Sequence, residues 1–318
     1  MDDEQLSLQR FSVGQPVLRT EDPKLVQGQG LYTDDVNLPN QVYAAMVRSP
    51  YAHGLIKSID VEAAKAMPGV LAVYTAEDLK AYGPYPFRVA MNNRDGSPVV
   101  KPKRYALAGR KVTYVGDPVA CVIALTPSQA QDADEAVGLD IEPLKPVLSM
   151  QEAVAADAPQ ILDDVPGNLA LDYHFGDSAA VEKAFSEAAH VTKLSLLDQR
   201  IVVNAMEPRA CLAQYDAGRG DYTLHACTQG VATMRGQIAA VMDVPAEKIR
   251  IAAQDVGGGF GVRFNLYPEY CATLLAAKLL GRAVKWTGSR SEVFLADEQA
   301  RDVRSTGEIA LDAQGRIR

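Results

Sequence analysis

The residues able to do chemistry gather in a few places. Gly257-Gly258-Gly259-Phe260-Gly261 puts four glycines into five positions. Without a Cβ the backbone bends freely there and can approach a ligand closely. Its N–H groups can form a concave donor nest for anionic oxygens. A tight strand-to-helix connection with no ligand accounts for the same residues, so both readings stand. The spacing is not the G-x-G-x-x-G of dinucleotide sites: Phe260 and Gly261 break it, and no suitable Asp or Glu clearly follows. The Gly-Lys-Ser/Thr of a P-loop is absent as well. A large aromatic such as Phe260 is costly to expose, so it either plugs the core or walls a pocket. Gln229 closes the segment YTLHACTQ, just before an expected helix. Its amide can donate to an anion or oxo ligand and accept from a water, or it simply faces solvent.

Other candidates point elsewhere. In Met206-Glu207-Pro208-Arg209 the Glu207 and Arg209 side chains could form a site, but the expectation is a bend carrying a partly buried ion pair between them. His53, His174, His190 and His225 are scattered, with none paired at i, i+4 or beside Cys or carboxylates. They indicate no protein-ligated metal site. No Ser-His-Asp arrangement or nucleophile elbow occurs. Cys121, Cys211, Cys227 and Cys271 lie far apart among apolar neighbours and match no zinc or iron–sulfur spacing. They read as buried free thiols in a reducing cytoplasm.

The elements that must position these residues follow from pattern. Strands are expected over 42–49, in LIKSID, in LAVYT and in GLDIEPL. Asp60 is placed to cap a helix beginning near Val61, and Thr75 to cap one over AEDLKAY. The Pro- and Gly-rich run 83–103 is a long surface excursion. In KVTYVGDPVACVIAL two apolar strands flank a turn at Gly116-Asp117-Pro118, and Thr126 caps a helix opened by Pro127. Residues 145–168, rich in Pro, Ala and Asp, read as a tether. A second block has strands near 170–175, 190–197, 210–216, 222–228 and 249–254. Its helices are near 178–188 and 230–242. A further helix runs from Pro268 to Leu280, with Gly281 just past its end, and AVKW follows as a strand. STGEIALDAQGRIR has the form of a β-hairpin with its turn at 312–315 and only the beginning of a return strand, which points to a truncated or split chain.

Bulk properties exclude some classes. The chain has 318 residues, a prior of about two domains. Hydrophobic residues make up 47% and the formal net charge is −8, so cores are affordable and a phosphate backbone is repelled. The start, MDDEQLSLQR, lacks the basic and apolar regions of a signal peptide, and no apolar stretch approaches the roughly 18 residues of a membrane span.

The order of the motifs is more specific than any one of them. QGQGLYTDDVNLPNQVYAAMVRSPYAHGLIKSIDVEAAKAMPGVLAVYTAEDL resembles the opening hammerhead domain of the xanthine dehydrogenase, aldehyde oxidase and aerobic carbon monoxide dehydrogenase superfamily. VGDPVACVIA and DIEPL resemble its second half. PGNLA, MEPRACLAQYD, Thr228-Gln229, DVGGGFG and LGRAVKW resemble the first part of that family's molybdenum-cofactor domain, and the hammerhead part reads closest to bacterial carbon monoxide dehydrogenase-like large subunits.

The resemblance implies an α+β fold: an N-terminal arm over 1–22, a hammerhead α/β domain over 23–145, a linker over 146–168, and the incomplete first part of a molybdopterin-binding domain over 169–318. It implies a molybdopterin cofactor, of the cytosine dinucleotide or a related form, with molybdenum that no side chain ligates. Gln229 would contact the metal's oxo ligand. Gly258, Gly259, Phe260 and Gly261 would lie against cofactor and metal. Phe264 would line the substrate pocket, where purine-oxidising members carry a glutamate, and this departure disfavours a purine. Val262-Arg263 also departs from the family's small residue and lysine. Electrons would leave through a [2Fe-2S] small subunit and a FAD-binding medium subunit. The general base and most cofactor contacts would come from the missing C-terminal half, so no catalytic residue is assigned here, and neither Asp255 nor Glu269 is a candidate. Two alternatives stay open: a non-catalytic assembly piece that keeps the hammerhead fold, and a nucleotide-binding domain unrelated to molybdenum.

Overall fold

The structure, a computed structural model, describes residues 18–318. Most of the expected N-terminal arm lies outside the described residues; its end enters a short helix, α1 (Asp22–Leu25). The first half of the chain then runs β1 (Val42–Arg48), β2 (Gly54–Asp60), α2 (Glu62–Lys65), β3 (Val70–Thr75), β4 (Lys111–Val112), β5 (Pro118–Ala124), α3 (Pro127–Glu135) and β6 (Gly138–Pro143). The second half adds α4 (Met150–Ala153), α5 (Ser178–Ser186), β7 (His190–Asp198), β8 (Ala210–Asp216), β9 (Asp221–Ala226), α6 (Val231–Met242), β10 (Ile249–Ala252), α7 (Pro268–Leu280), β11 (Val284–Thr287), α8 (Arg290–Ala296) and β12 (Val303–Leu311). No helix is long and apolar enough to cross a membrane among the described residues.

Seven strands form one mixed sheet in the order β10-β9-β8-β11-β1-β5-β3. Strands from both halves of the chain therefore share a sheet, joined where β1 runs parallel to β11 through Val42–Val284 and Tyr43–Lys285. β2, β4 and β6 make a smaller antiparallel sheet, and β7 pairs with β12 as a separate ribbon. β5 shows why the layers close. Every residue of PVACVIA is buried, and alternate side chains point to opposite faces. Cys121 and Ile123 enter a core with Tyr270, Leu274 and Trp286 from the second half. Ala120 and Val122 enter another with Ala64, Ala133 and Ile141.

Local chemistry sets the helix ends. Thr126 accepts from the Gln129 N–H and Pro127 opens α3, as its missing donor costs nothing in a first turn. Pro268 opens α7 and Gly281 ends it at φ 61°, a left-handed cap that glycine adopts without strain. α7 is buried on nearly every side over Pro268–Ala277, which fits an apolar helix inserted between sheet and helices.

Several expectations are corrected. AEDLKAY forms turns, not a helix: the N–H groups of Asp78, Leu79 and Lys80 bond carbonyls three residues back, at 3.1, 3.2 and 3.4 Å, and the Thr75 hydroxyl donates to the Asp78 carboxylate and caps no N–H. Residues 170–175 are not a strand. KVTY contributes only a two-residue strand, which pairs with β2 and not with β5. The tether is pinned down: Asp163 pairs with Arg110 and with Lys111 (2.6 Å), the Asp164 carboxylate accepts from the Lys103 N–H at 3.0 Å, and Val165 is buried. β12 finds its partner in β7, over a hundred residues earlier, in register from Val303–Asp198 to Leu311–His190. The turn after it forms as expected, with the Asp312 N–H on the Arg316 carbonyl at 3.0 Å, but the return segment makes a single bridge, Leu311–Ile317. Helix α8, which no expectation covered, is set by a capping box between Ser289 and Glu292.

Candidate functional site

The two chemistry-bearing motifs meet for a topological reason. β9 and β10 are neighbouring parallel strands, paired from Tyr222–Ile249 to His225–Ala252. Gln229 follows the carboxyl end of one and the glycine loop follows the carboxyl end of the other. Ligand sites form in this kind of crevice in α/β sheets.

The contact is direct. The Gly261 N–H donates to Gln229 Oε1 at 3.0 Å. The Gln229 N–H donates to the Arg263 carbonyl at 3.1 Å, and the Thr228 hydroxyl donates to the same carbonyl at 3.1 Å. Because Oε1 accepts, the Nε2 protons of Gln229 remain free, and among the described residues they have no partner. Gly259 packs so tightly on this amide that a Cβ would stand 2.5 Å from Gln229 Cδ. Gly258 (φ 107°), Phe260 (φ 48°) and Gly261 (φ 96°) are left-handed. Among the described residues the N–H groups of Gly258, Gly259 and Phe260 donate to nothing. Phe260 is 77% exposed, so its ring does not plug the core.

Residues placed in other roles on sequence grounds hold the loop. Glu207 Oε2 accepts from the Gly257 N–H at 2.8 Å, its own N–H donates to the Gly257 carbonyl at 3.0 Å, and Oε1 accepts from the Thr33 N–H at 3.4 Å. Burial raises the Glu207 carboxyl above its ordinary value, against the opposing pull of the Gly257 N–H and Arg263. Arg263 is buried and donates Nε to the Gly258 carbonyl (3.4 Å) and Nη2 to the Glu207 carbonyl. Asp255 accepts from Lys24 Nζ (2.7 Å) and the Leu31 N–H (2.8 Å). The Glu207 and Asp255 partners lie 50 to 231 residues away, so no local pattern could reveal them.

Phe264 lies against the residue that follows Gln229. A Cβ on Gly230 would lie 3.0 Å from its ring, and the Arg88 guanidinium sits 4.7 Å from its centroid. The expected Glu207–Arg209 pair does not form. Arg209 turns the other way, fully buried, and binds Glu269 at 2.7 and 3.2 Å and also Asp297, while stacking on Tyr267 at 3.7 Å. Arg48 reaches the same Glu269 at 2.6 Å and Glu292 at 2.9 Å. The buried Arg209 fork is satisfied by two carboxylates at once, which is why the nearer-in-sequence Glu207 is left to the loop. Glu269 is spent in this cluster and holds no proton for chemistry. Cys211 and Cys271 have thiols pushed up to about 12 by burial, so they are inert as nucleophiles. Among the described residues no group of three or more His, Cys, Asp or Glu is arranged to hold a metal ion.

The profile of the molybdopterin cofactor-binding domain matches residues 161–318. That of the aldehyde oxidase and xanthine dehydrogenase a/b hammerhead domain matches residues 27–145. The chain belongs to the molybdenum hydroxylase superfamily, large-subunit type. It is 34% identical over 309 residues to the carbon monoxide dehydrogenase large chain of Hydrogenophaga pseudoflava, covering 93% of this chain and 37% of that protein. It is 34% identical over 310 residues to the nicotine 6-hydroxylase large subunit of Paenarthrobacter nicotinovorans, covering 97% and 37%. The fold superposes on quinoline 2-oxidoreductase from Pseudomonas putida 86 with a TM-score of 0.85 at 31% identity, over 95% of this chain and 38% of that one. The chain thus spans under two-fifths of the length of these relatives.

Proposed function

We propose that this chain forms the Gln229 and glycine-loop wall of a molybdenum hydroxylase site, and that the remaining part of a large subunit completes it. The observation that carries this reading is the Gly261–Gln229 hydrogen bond at the ends of β9 and β10. It leaves an amide donor and three loop N–H groups directed to no other partner among the described residues, which suits a group rich in anionic oxygens. A Cβ at Gly259 would fill this cradle. Gln229, Gly258, Gly259, Phe260 and Gly261 would therefore hold a molybdopterin cofactor, in the cytosine dinucleotide form. When bound, that cofactor supplies two-electron hydroxylation with water as the oxygen source, and the electrons pass to a [2Fe-2S] small subunit and a FAD-binding medium subunit.

This chain's own residues bind and orient. Gly261 fixes which face of the Gln229 amide points outward. Phe260 and Phe264 exclude water on two sides. The family resemblance puts the general base in the remaining part of the large subunit; in this chain Glu269 is locked in its cluster and Asp255 is tied to Lys24. Carbon monoxide, an aldehyde or an N-heterocycle is the substrate, and four buried free thiols fit a cytoplasmic setting.

Molybdenum analysis tests the reading. The completed complex is expected to hold one molybdenum per chain, and the isolated chain none. Gln229→Ala in the complex is expected to lower kcat by roughly 10²-fold, the usual effect of removing one positioned donor. Stoichiometric metal and turnover in the isolated chain would sink the proposal. Unchanged turnover in Gln229→Ala would favour a scaffold role.

A further inference from the structure

The excursion between β3 and β4 reaches the wall of the same crevice. Its base is fixed: the Gly83 N–H donates to the Val241 carbonyl at 2.7 Å, the Tyr85 N–H to the Arg104 carbonyl at 2.7 Å, and Val99 is buried. From this base the excursion presents Arg88. The guanidinium stacks 4.7 Å from the Phe264 centroid, and Nη2 donates to the Phe264 carbonyl at 3.1 Å. Phe264 lies against Gly230, next in sequence to Gln229. Through Phe264, Arg88 therefore reaches the residue next to Gln229.

Arg88 differs from the other arginines nearby. Arg94 pairs with Asp172, Arg110 with Asp163, and Arg104 faces Glu298. Among the described residues Arg88 has no carboxylate partner, and its Nε and Nη1 donate to nothing. The guanidinium lies over the Phe264 ring, and because Nη2 carries a second proton, one two-donor edge (Nη2 with Nη1 or with Nε) stays open to match a carboxylate with two parallel hydrogen bonds. The ring beside it offers an apolar surface on which a planar group can pack.

We propose that Arg88 is a specificity-determining residue that selects planar aromatic or heteroaromatic substrates bearing a carboxylate. The substrate ring packs against the Arg88–Phe264 stack and its carboxylate takes the free guanidinium edge, with the reacting carbon turned toward Gln229. This inference rests on the reading of the crevice as a molybdenum hydroxylase site.

The test is ligand binding to the purified complex that contains this chain, followed by calorimetry with benzoate, benzamide and benzylamine as probes. Wild type is expected to bind benzoate about ten-fold tighter than benzamide, the scale of one charge-assisted hydrogen-bonded contact near a surface. Arg88→Ala is expected to abolish the preference, Arg88→Lys to keep part of it, and Arg88→Glu to turn it toward benzylamine. No preference for benzoate in wild type, or an unaltered preference in Arg88→Glu, overturns the proposal. Molybdenum content of the same samples separates the two readings. Full metal with no charge preference removes Arg88 alone. Absent metal removes the hydroxylase reading, while the Arg88 variants still report on carboxylate binding.

Discussion

Gly258 and Gly259 stand side by side for different reasons, and substitution separates them. At Gly259 the nearest atoms a Cβ would meet all belong to the Gln229 side chain. Gly259→Ala is expected to cost little stability, about 1 kcal/mol or less, while it pushes the Gln229 amide aside and empties the complex of molybdenum. Gly258 has φ 107°, so Gly258→Ala is expected to lower stability by about 1–3 kcal/mol through backbone strain. Thermal unfolding paired with metal analysis checks both, and full metal retention in Gly259→Ala would rule out the cradle. At Glu269 burial pushes the carboxyl up, but Arg209 and Arg48 overcome it and hold the group at about 2, below its ordinary 4.5. A carboxyl lowered on folding stabilises above pH 4.5 and loses that contribution as pH falls toward 2. Glu269→Gln is expected to cost about 3–5 kcal/mol at neutral pH, because two buried guanidinium groups lose their shared charge. It is also expected to flatten acid unfolding between pH 4.5 and 2; an unchanged acid limb would remove Glu269 as its source.

At the scale of elements, the β7–β12 ribbon is the part least covered. Register puts Leu194, Leu196, Val303 and Ile309 on one face, while the other carries the Lys193–Glu308 ion pair and the Ser195–Thr306 hydrogen bond. Leu194 and Leu196 are each 58% exposed. A contiguous apolar face on a ribbon with open edges associates with whatever apolar surface it meets. The isolated chain is therefore expected to self-associate. Leu194→Thr with Leu196→Thr is expected to reduce light scattering with little change in Tm, since threonine keeps the strand preference. Equal scattering by both proteins would place the sticky surface elsewhere.

At the scale of the whole molecule, the two stretches that sequence motifs separate are joined in one sheet and one core. Val42, Met46 and Ile123 pack with Leu224, Tyr270 and Trp286. Cutting between them exposes apolar area on both sides. The seven-stranded body is expected to unfold in one calorimetric transition, and residues 27–145 expressed alone to melt at lower temperature or not to fold. Two resolved transitions for the body would show that the shared sheet is not the unit of cooperativity.

The sequence by itself determined the family and most elements. Helix ends such as Thr126-Pro127 and Pro268 to Gly281 are local chemistry, and the order of motifs from QGQGLYTDD to LGRAVKW needs no third dimension. It also named Gln229, Gly259, Phe260 and Gly261. Only the tertiary structure decided that Gln229 and Gly261 touch, because that contact depends on β9 and β10 being parallel neighbours. It alone decided that Glu207 holds Gly257 while Arg209 belongs to Glu269, and that Arg88 caps Phe264 across 176 residues. Charges choose partners by distance and by the cost of burial, and neither quantity is written along a chain.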